Sequence, residues 1–276
     1  MSNLKITGLY IYPIKSLSGI SLSKTKVEFR GLQFDRRWML VDDNDEFITQ
    51  RNFPLMALLQ PEITPASIIV RHRGKIVQPI EFSLYEPQSK AEAVTIWEDT
   101  CLAKEVSKEA SEWFSMVLGM RCRLMFMHEE SIRQADQRYA IQETDKVSFA
   151  DGYPVLMVSE ESMDQLNQKM NLNYTVERFR PNIVCAGGEA HVEDTLRKVQ
   201  INNVEFYGVK PCARCVLTTI DPLTTEQGKE PLKTLSTYRK SGNKILFGEN
   251  FIPVNQGEIA IGGDINVQES KSGPFQ

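Results

Sequence analysis

Over roughly the first 100 residues, apolar and polar positions alternate with a period of two, which predicts strands with one face buried. Ile6 to Tyr12 is the first of them, stopped by Pro13, which cannot donate to a ladder. Val27 to Phe29, a turn at Gly31 and Trp38 to Val41 follow. The acidic turn Asp42-Asp-Asn-Asp45, continued by Glu46-Phe-Ile-Thr-Gln-Arg51, predicts a hairpin. Ile68 to Val70 and Ile76 to Phe82, around Arg73-Gly74, predict a second. The period then changes. Leu102, Val106, Ala110, Trp113, Phe114 and Val117 take helical spacing, so a helix is expected from Leu102 to Leu118, with Gly119 as its C-terminal cap.

Strand spacing returns at Cys122 to Met127, and Ser131 to Ser148 is polar and non-periodic, a long loop that reads equally as a lid or as disorder. Val155 to Val158 is a short strand, after which Ser159 caps a helix with Glu160 and Glu161 in its first turn and Met163, Leu166 and Met170 on one face. Phe179-Arg-Pro-Asn-Ile-Val184 enters another strand, and Val199 to Ile201 with Val204 to Val209 form a hairpin across Asn202-Asn203. The β-branched run Val216-Leu-Thr-Thr-Ile220 predicts a buried strand. A short helix at Pro231 to Arg239 and a last strand from Ile259 to Val267, kinked at Gly262-Gly263-Asp264, complete the pattern. The fold class is mainly β with flanking helices (α+β), in closed or sandwiched sheets, because no regular strand–helix–strand alternation occurs. A boundary falls near residue 120, giving units 1–120 and 121–268 and a polar tail, 269–276.

Composition narrows the partners. With 276 residues, 41% of them hydrophobic and 25% charged, the chain has ample material for a core. A net charge of -4 offers no bulk attraction to nucleic acid or an anionic membrane, so neither is expected as a partner. No signal-peptide core and no run of roughly 18 apolar residues occurs. Five cysteines, an odd number in a chain too large to need disulfide staples, point to a reducing cytoplasm with thiols free or metal-bound.

The chemistry centres on Lys210-Pro-Cys-Ala-Arg-Cys-Val-Leu-Thr-Thr-Ile-Asp-Pro222. Cys212-Ala-Arg-Cys215 has the spacing of a redox dithiol or of half a zinc site. It lacks a second ligand pair, and it precedes a predicted strand instead of opening a helix. Inert core cysteines remain an alternative. The remaining reading is one cysteine as a thiolate ligand, with Arg214 and Lys210 compensating charge. Tyr12-Pro-Ile-Lys-Ser16, Phe34-Asp-Arg-Arg-Trp38 and Phe179-Arg-Pro-Asn182 each place cations in turns. If they converge, Lys15, Arg36, Arg180 and Arg214 make a cationic pocket on an acidic protein. Ala150-Asp-Gly-Tyr-Pro154 is a turn whose Asp151 is the one acid expected near the site, and Gly152 permits close backbone approach. His72, His128 and His191 show no mutual spacing that makes a site.

Taken together, these ordered motifs, with Pro231-Leu-Lys-Thr-Leu235, resemble the family of MOSC-domain molybdenum cofactor proteins. Within it the chain is similar to the mitochondrial amidoxime reducing component and its bacterial YcbX relatives. The resemblance covers almost the whole chain and implies an N-terminal β-barrel-like domain followed by a MOSC β-barrel domain. It implies molybdenum–molybdopterin (Moco) as cofactor, Cys215 as the protein ligand of the metal, and Asp151 and Gly152 beside it. Lys15, Ser16, Arg36, Arg180, Asn182, Ala213 and Arg214 match positions that bind the pterin and its phosphate. Ala213 stands where some relatives have serine, and Gly152 where some have threonine.

The implied activity is reduction of small N-hydroxylated compounds (amidoximes, hydroxylamines, N-hydroxylated bases). The alternative is a non-catalytic sulfur or cofactor carrier associated with pyridoxal-phosphate-dependent sulfurase chemistry. No C-x4-C-x2-C spacing occurs in the sequence. Electrons are therefore expected from a separate flavin or iron–sulfur protein, or from a domain of a longer chain.

Overall fold

The computed structural model describes residues 4–275. Residues 1–3 and 276, the outer ends of the expected first unit and tail, lie outside the described residues. The largest element is a nine-stranded sheet. Its order runs Ile265–Ser270, Leu196–Ile201, Val204–Ala213, Lys244–Pro253, Val155–Ser159, Ile183–Ala186, Lys5–Ile11, Ile20–Leu22, with Lys240–Ser241 paired to Lys244–Pro253. The path is open: its two end strands do not pair with each other. Val155–Ser159 and Ile183–Ala186 are parallel, and the helix Glu160–Met170 crosses between them. The expected cap at Ser159 forms, its side chain accepting from the Ser162 amide.

The chain's first strand lies inside this sheet. Lys5–Ile11 pairs antiparallel with Ile183–Ala186 on one side and Ile20–Leu22 on the other. Leu4, Ile6, Leu9 and Ile11 join Val155, Met157, Ile183 and Cys185 in one core. The polar turns that follow this strand are thereby carried to the same sheet end as the residues around Arg180.

The second lobe stacks Trp38–Val41, Arg123–Met127, Asp99–Glu105 and Ala91–Ile96 as one sheet, beside the sheet Leu59–Ile63, Ser67–His72, Ile80–Ser83. Trp38–Val41 and Arg123–Met127 bury both faces. Trp38, Leu40, Leu124 and Phe126 face one core, while Met39, Val41, Met125 and Met127 face another. Trp38 is the hub of the first core, with ring centroids 5.2 Å from Phe126 and 6.4 Å from Phe82. Each fully buried Leu or Phe in such a core contributes about 1.5–3 kcal/mol.

Several parts of the pattern resolve differently. The last expected strand is two, Gly257–Ala260 paired with Lys24–Glu28 and Ile265–Ser270 at the edge of the large sheet, and the helix expected at Pro231 to Arg239 is only Leu232–Leu235. The helix expected from Leu102 spans only Lys108–Leu118, capped by the Ser107 side chain and ended at Gly119 with φ 70°. Leu102 belongs to the strand Asp99–Glu105, where Cys101 and Ala103 are buried and Leu102 is exposed. Six paired positions along Ala91–Ile96 override a helical periodicity that had only two residues, Leu102 and Val106, in this stretch.

Val216–Thr219 is a 3-10 turn, not a strand. The Thr218 and Thr219 hydroxyls donate to the carbonyls of Cys215 (3.0 Å) and Val216 (2.7 Å), closing the turn that their β-branching argued against. Lys244–Pro253, a central strand, gives no clear period, because Gly248-Glu-Asn250 interrupts its apolar run. Those residues are required where they stand. Gly248 has φ 77°, and a Cβ there would lie 2.8 Å from the Met157 carbonyl oxygen. Glu249 is fully buried and accepts from Lys271 at 2.5 Å.

Burial pushes the Glu249 carboxyl up to about 8 against the pull of Lys271. The folded chain therefore keeps a proton that the unfolded chain releases above 4.5, so this group makes stability fall as pH rises from about 4.5 to about 8. Urea unfolding across that range should give a flatter stability profile for Glu249→Gln than for the wild type. Parallel profiles would mean that Glu249 is ionised throughout.

Candidate functional site

All ten residues singled out from the sequence, Cys215, Asp151, Lys15, Ser16, Arg36, Gly152, Arg180, Asn182, Ala213 and Arg214, line one cleft at the end of the large sheet. Five segments separated in sequence supply them. The first begins where Lys5–Ile11 ends: the Tyr12 amide donates to the buried Asp35 carboxylate (2.8 Å), and Asp35 pairs with Arg36 (2.6 Å). The Arg36 amide donates back to the Tyr12 carbonyl at 3.0 Å. Arg36 and Arg180 then pack against the same buried Tyr12 ring, 4.4 and 4.1 Å from its centroid. Burial and the facing Arg36 push the Arg180 pKa down, the signature of two cations sharing a confined volume.

Backbone strain concentrates here. Ser16, Arg36 and Arg180 all have left-handed conformations, with φ of 68°, 49° and 56°. Each such residue costs of order 1 kcal/mol or more, which the surrounding hydrogen bonds must offset. Arg180 donates to the Leu17 carbonyl (2.6 Å), and Arg36 to the Arg180 carbonyl (3.2 Å). The Asn182 amide is engaged in the same knot. It donates to Tyr10 (3.2 Å) and accepts from the Leu156 amide (3.1 Å) and from Arg36 (3.2 Å), joining three strands beneath the cleft.

Lys15, from the turn after Tyr12, reaches the 149–151 segment. Its buried ammonium donates to the Phe149 carbonyl (2.8 Å) and to Asp151 (2.6 Å). Burial pushes it down to about 8 despite the Asp151 charge. Asp151, whose side chain is 74% exposed, stays below the usual carboxylate range, because Lys15 with Arg36 and Arg51 outweighs its partial desolvation. The backbone of this turn is held from behind. Arg133, buried, donates to the carbonyls of Ser148 (2.9 Å), Ala150 (2.5 Å) and Asp151 (2.8 Å). The segment 131–148 is accordingly an irregular loop tied to the site, with one bridge, Gln134 to Lys146. Beside Gly152 a Cβ would meet nothing within 4 Å, so the glycine leaves open volume in the cleft.

The cysteine pair divides. Cys215 is exposed in the cleft and Cys212 is partly covered. Desolvation pushes the Cys212 thiol up, overcoming the pull of Arg214, so it stays protonated. Arg214 donates to the carbonyls of Phe247 (2.8 Å) and Phe179 (2.9 Å), while its Nη2, also buried, has no protein partner. That nitrogen lies toward Gly248, beneath the cleft, which Arg214 lines with the rest of its side chain. Lys210, expected beside Arg214, faces away instead. It pairs with Asp136 (3.4 Å) and stacks over Tyr139, and a break in strand register between Pro211 and Ala213 separates its face from that of Arg214.

The sequence reading missed Arg51 and Arg178, which also line the cleft. Arg178 fixes the turn after Cys215 by donating to the Ile220 carbonyl (2.9 Å) and pairing with Asp221 (2.8 Å). Six cations (Lys15, Arg36, Arg51, Arg178, Arg180, Arg214) thus line the cleft against the single carboxylate of Asp151. Among the described residues, no three of His, Cys, Asp and Glu gather to hold a metal ion. Side chains alone therefore do not build a zinc centre there, and Cys101, Cys122 and Cys185 are buried elsewhere.

The fold and site define a mainly β protein with a cationic cleft closing on one exposed thiol. The MOSC N-terminal beta barrel domain matches residues 3–121, and the MOSC domain matches residues 144–266. Mitochondrial amidoxime-reducing component 1 of Mus musculus is 32% identical over 280 residues, spanning 94% of this chain and 81% of the relative. Mitochondrial amidoxime reducing component 2 of Bos taurus is 30% identical, spanning 85% and 72%. Molybdenum cofactor sulfurase of Oryza sativa subsp. japonica is 27% identical, spanning 94% of this chain but 34% of the relative. The chain belongs to the MOSC family, with its N-terminal domain and its MOSC domain in tandem. No helix among the described residues is long and apolar enough to cross a membrane.

A cleft of this charge should bind a simple anion. Sulfate, compared with chloride at equal ionic strength, should raise the thermal midpoint. That increment should shrink as pH climbs through about 8, where Lys15 loses its charge, and should vanish in Arg180→Gln. An increment independent of pH and of Arg180 would place sulfate elsewhere.

Proposed function

We propose that the chain is a Moco-dependent reductase of small N-hydroxylated compounds, the class that includes the amidoximes for which its relatives are named. The observation that carries this reading is the joining of one exposed thiol, Cys215, to a six-cation cleft. Those groups fit a cofactor that brings a phosphate, a polar ring edge and a metal in need of one protein thiolate. Lys15, Ser16, Arg36 and Arg180 would hold the phosphate, and the backbone at Ala213 and Gly152 would admit close approach. Arg214 would meet the pterin, with Asn182 supporting Arg36 from below.

When bound, molybdenum supplies a two-electron centre that accepts oxygen from an N–O bond. Around it the protein's own groups divide the remaining work. Cys215 supplies a thiolate. Asp151, ionised through its bond to Lys15, accepts a hydrogen bond from the substrate N–H and orients it. Lys15 keeps that carboxylate ionised, and the two protons taken up as the N–OH group becomes N–H and water enter from solvent. Two electrons enter per turnover from a separate flavin or iron–sulfur donor.

Protein produced with molybdate should carry about one molybdenum per chain by elemental analysis and should oxidise reduced viologen when given an amidoxime. Cys215→Ala should lose metal and activity together, whereas Cys212→Ala should keep both within a few-fold. Equal loss in the two variants would overturn the assignment of Cys215 as sole ligand. Full metal with no turnover of any N-hydroxylated compound would overturn the reductase and favour a carrier of sulfur or cofactor.

A further inference from the structure

Trp97 is a side chain that the fold does not ask for. Ile96 and Asp99 are directly paired across the hairpin of Ala91–Ile96 and Asp99–Glu105, so Trp97 and Glu98 are its two linking residues. Trp97 has φ 59°. The first linking position with positive φ is where glycine or asparagine belongs, and a bulky residue there is a rare and strained choice. Nor does the indole go into a core. Trp38 and Trp113 are 0% and 8% exposed, whereas Trp97 is 42% exposed.

What the strained backbone achieves is a fixed indole beside the cleft. Its Nε1 donates to Asp151 at 3.3 Å, its ring takes the Arg51 guanidinium at 4.2 Å, and Phe47 packs at 5.0 Å. Asp151 and Arg51 themselves line the cationic cleft. An open groove of about 1110 Å³ starts there, sharing Asp151 and Gly152 with the cleft. Trp97 and Phe47 form one of its walls, and Ile132, 66% exposed, lines it from the loop tied down by Arg133.

We propose that this groove receives the carbon skeleton of the substrate, and that Trp97 sets a preference for N-hydroxylated amidines and bases bearing a planar aromatic substituent. The inference rests on the reductase reading for its substrate class but not for its binding site. A planar group laid along Trp97 and Phe47 gains aromatic contact, while its N-hydroxylated end reaches Asp151 and the cleft. Hydroxylamine, which has no skeleton, gains nothing from the groove.

The test compares benzamidoxime with hydroxylamine as substrates of the cofactor-loaded protein. Trp97→Gly, which suits the turn, should lower the ratio of their kcat/KM values roughly five- to tenfold, the worth of one aromatic contact. Ile132→Asp, an exposed change that leaves the hairpin intact, should lower the same ratio and covers the case in which Trp97→Gly does not fold. In protein without cofactor, benzamidine should quench tryptophan fluorescence saturably, and Trp97→Gly should lose that quenching. Unchanged ratios in both variants, or no saturable quenching in the wild type, would overturn the proposal. Quenching without turnover of either substrate by the loaded wild type would instead overturn the reductase reading and leave the groove standing.

Discussion

Two guanidinium groups on one buried ring hold the site together and also burden it. Arg36 and Arg180 both pack on Tyr12; Asp35 pairs directly with Arg36, and Asp151 answers the two charges from further off. Like charges confined at this distance repel, and burial weakens the screening that water would give. The arrangement persists because the backbone leaves no alternative. Asn182 ties Tyr10, Leu156 and Arg36 together, and the strand Lys5–Ile11 is locked between Ile183–Ala186 and Ile20–Leu22. An anion in the cleft would relieve that repulsion, so the stored unfavourable energy would favour anionic ligands.

The same logic runs through the neighbouring parts. Lys15 is buried with a depressed pKa and answered by an exposed Asp151, which is itself braced by Arg133 and Trp97. Strained φ values recur at Ser16, Arg36, Trp97 and Arg180, all within or beside the cleft. Stability is given up at these positions and recovered in the cores around Trp38 and Phe251, where large apolar side chains are fully buried. A scaffold of paired strands suits this division, because hydrogen-bonded ladders hold turns rigidly at their ends.

Much of the strand pattern was legible. Trp38–Val41, Arg123–Met127 and the hairpin at Asn202-Asn203 fall where alternation and turn residues put them, because their burial is set locally by period and punctuation. The failures have specific causes. At Leu102 a few apolar residues at helical spacing lay in a strand whose identity came from its partner. At Val216 β-branching argued for a strand, while threonine hydroxyls bonding back to the chain closed a turn. At Gly248-Glu-Asn250 the central strand carries a polar triplet that only a neighbour's carbonyl and the distant Lys271 explain.

The sequence by itself determined the inventory of the site: one cysteine pair, an arginine beside it, and cations in turns after strands, in an order specific enough to mark the family. Tertiary structure decided what each member does. It divided Cys215 from Cys212 by exposure, and it turned Lys210 away while bringing in Arg51 and Arg178. It also set Trp97 on a strained turn facing Asp151. Residue type and spacing report what a segment can do alone, whereas exposure, charge pairing and orientation depend on which segments the sheet brings together. Here they come from as far as two hundred residues apart, as Lys15 and Cys215 do.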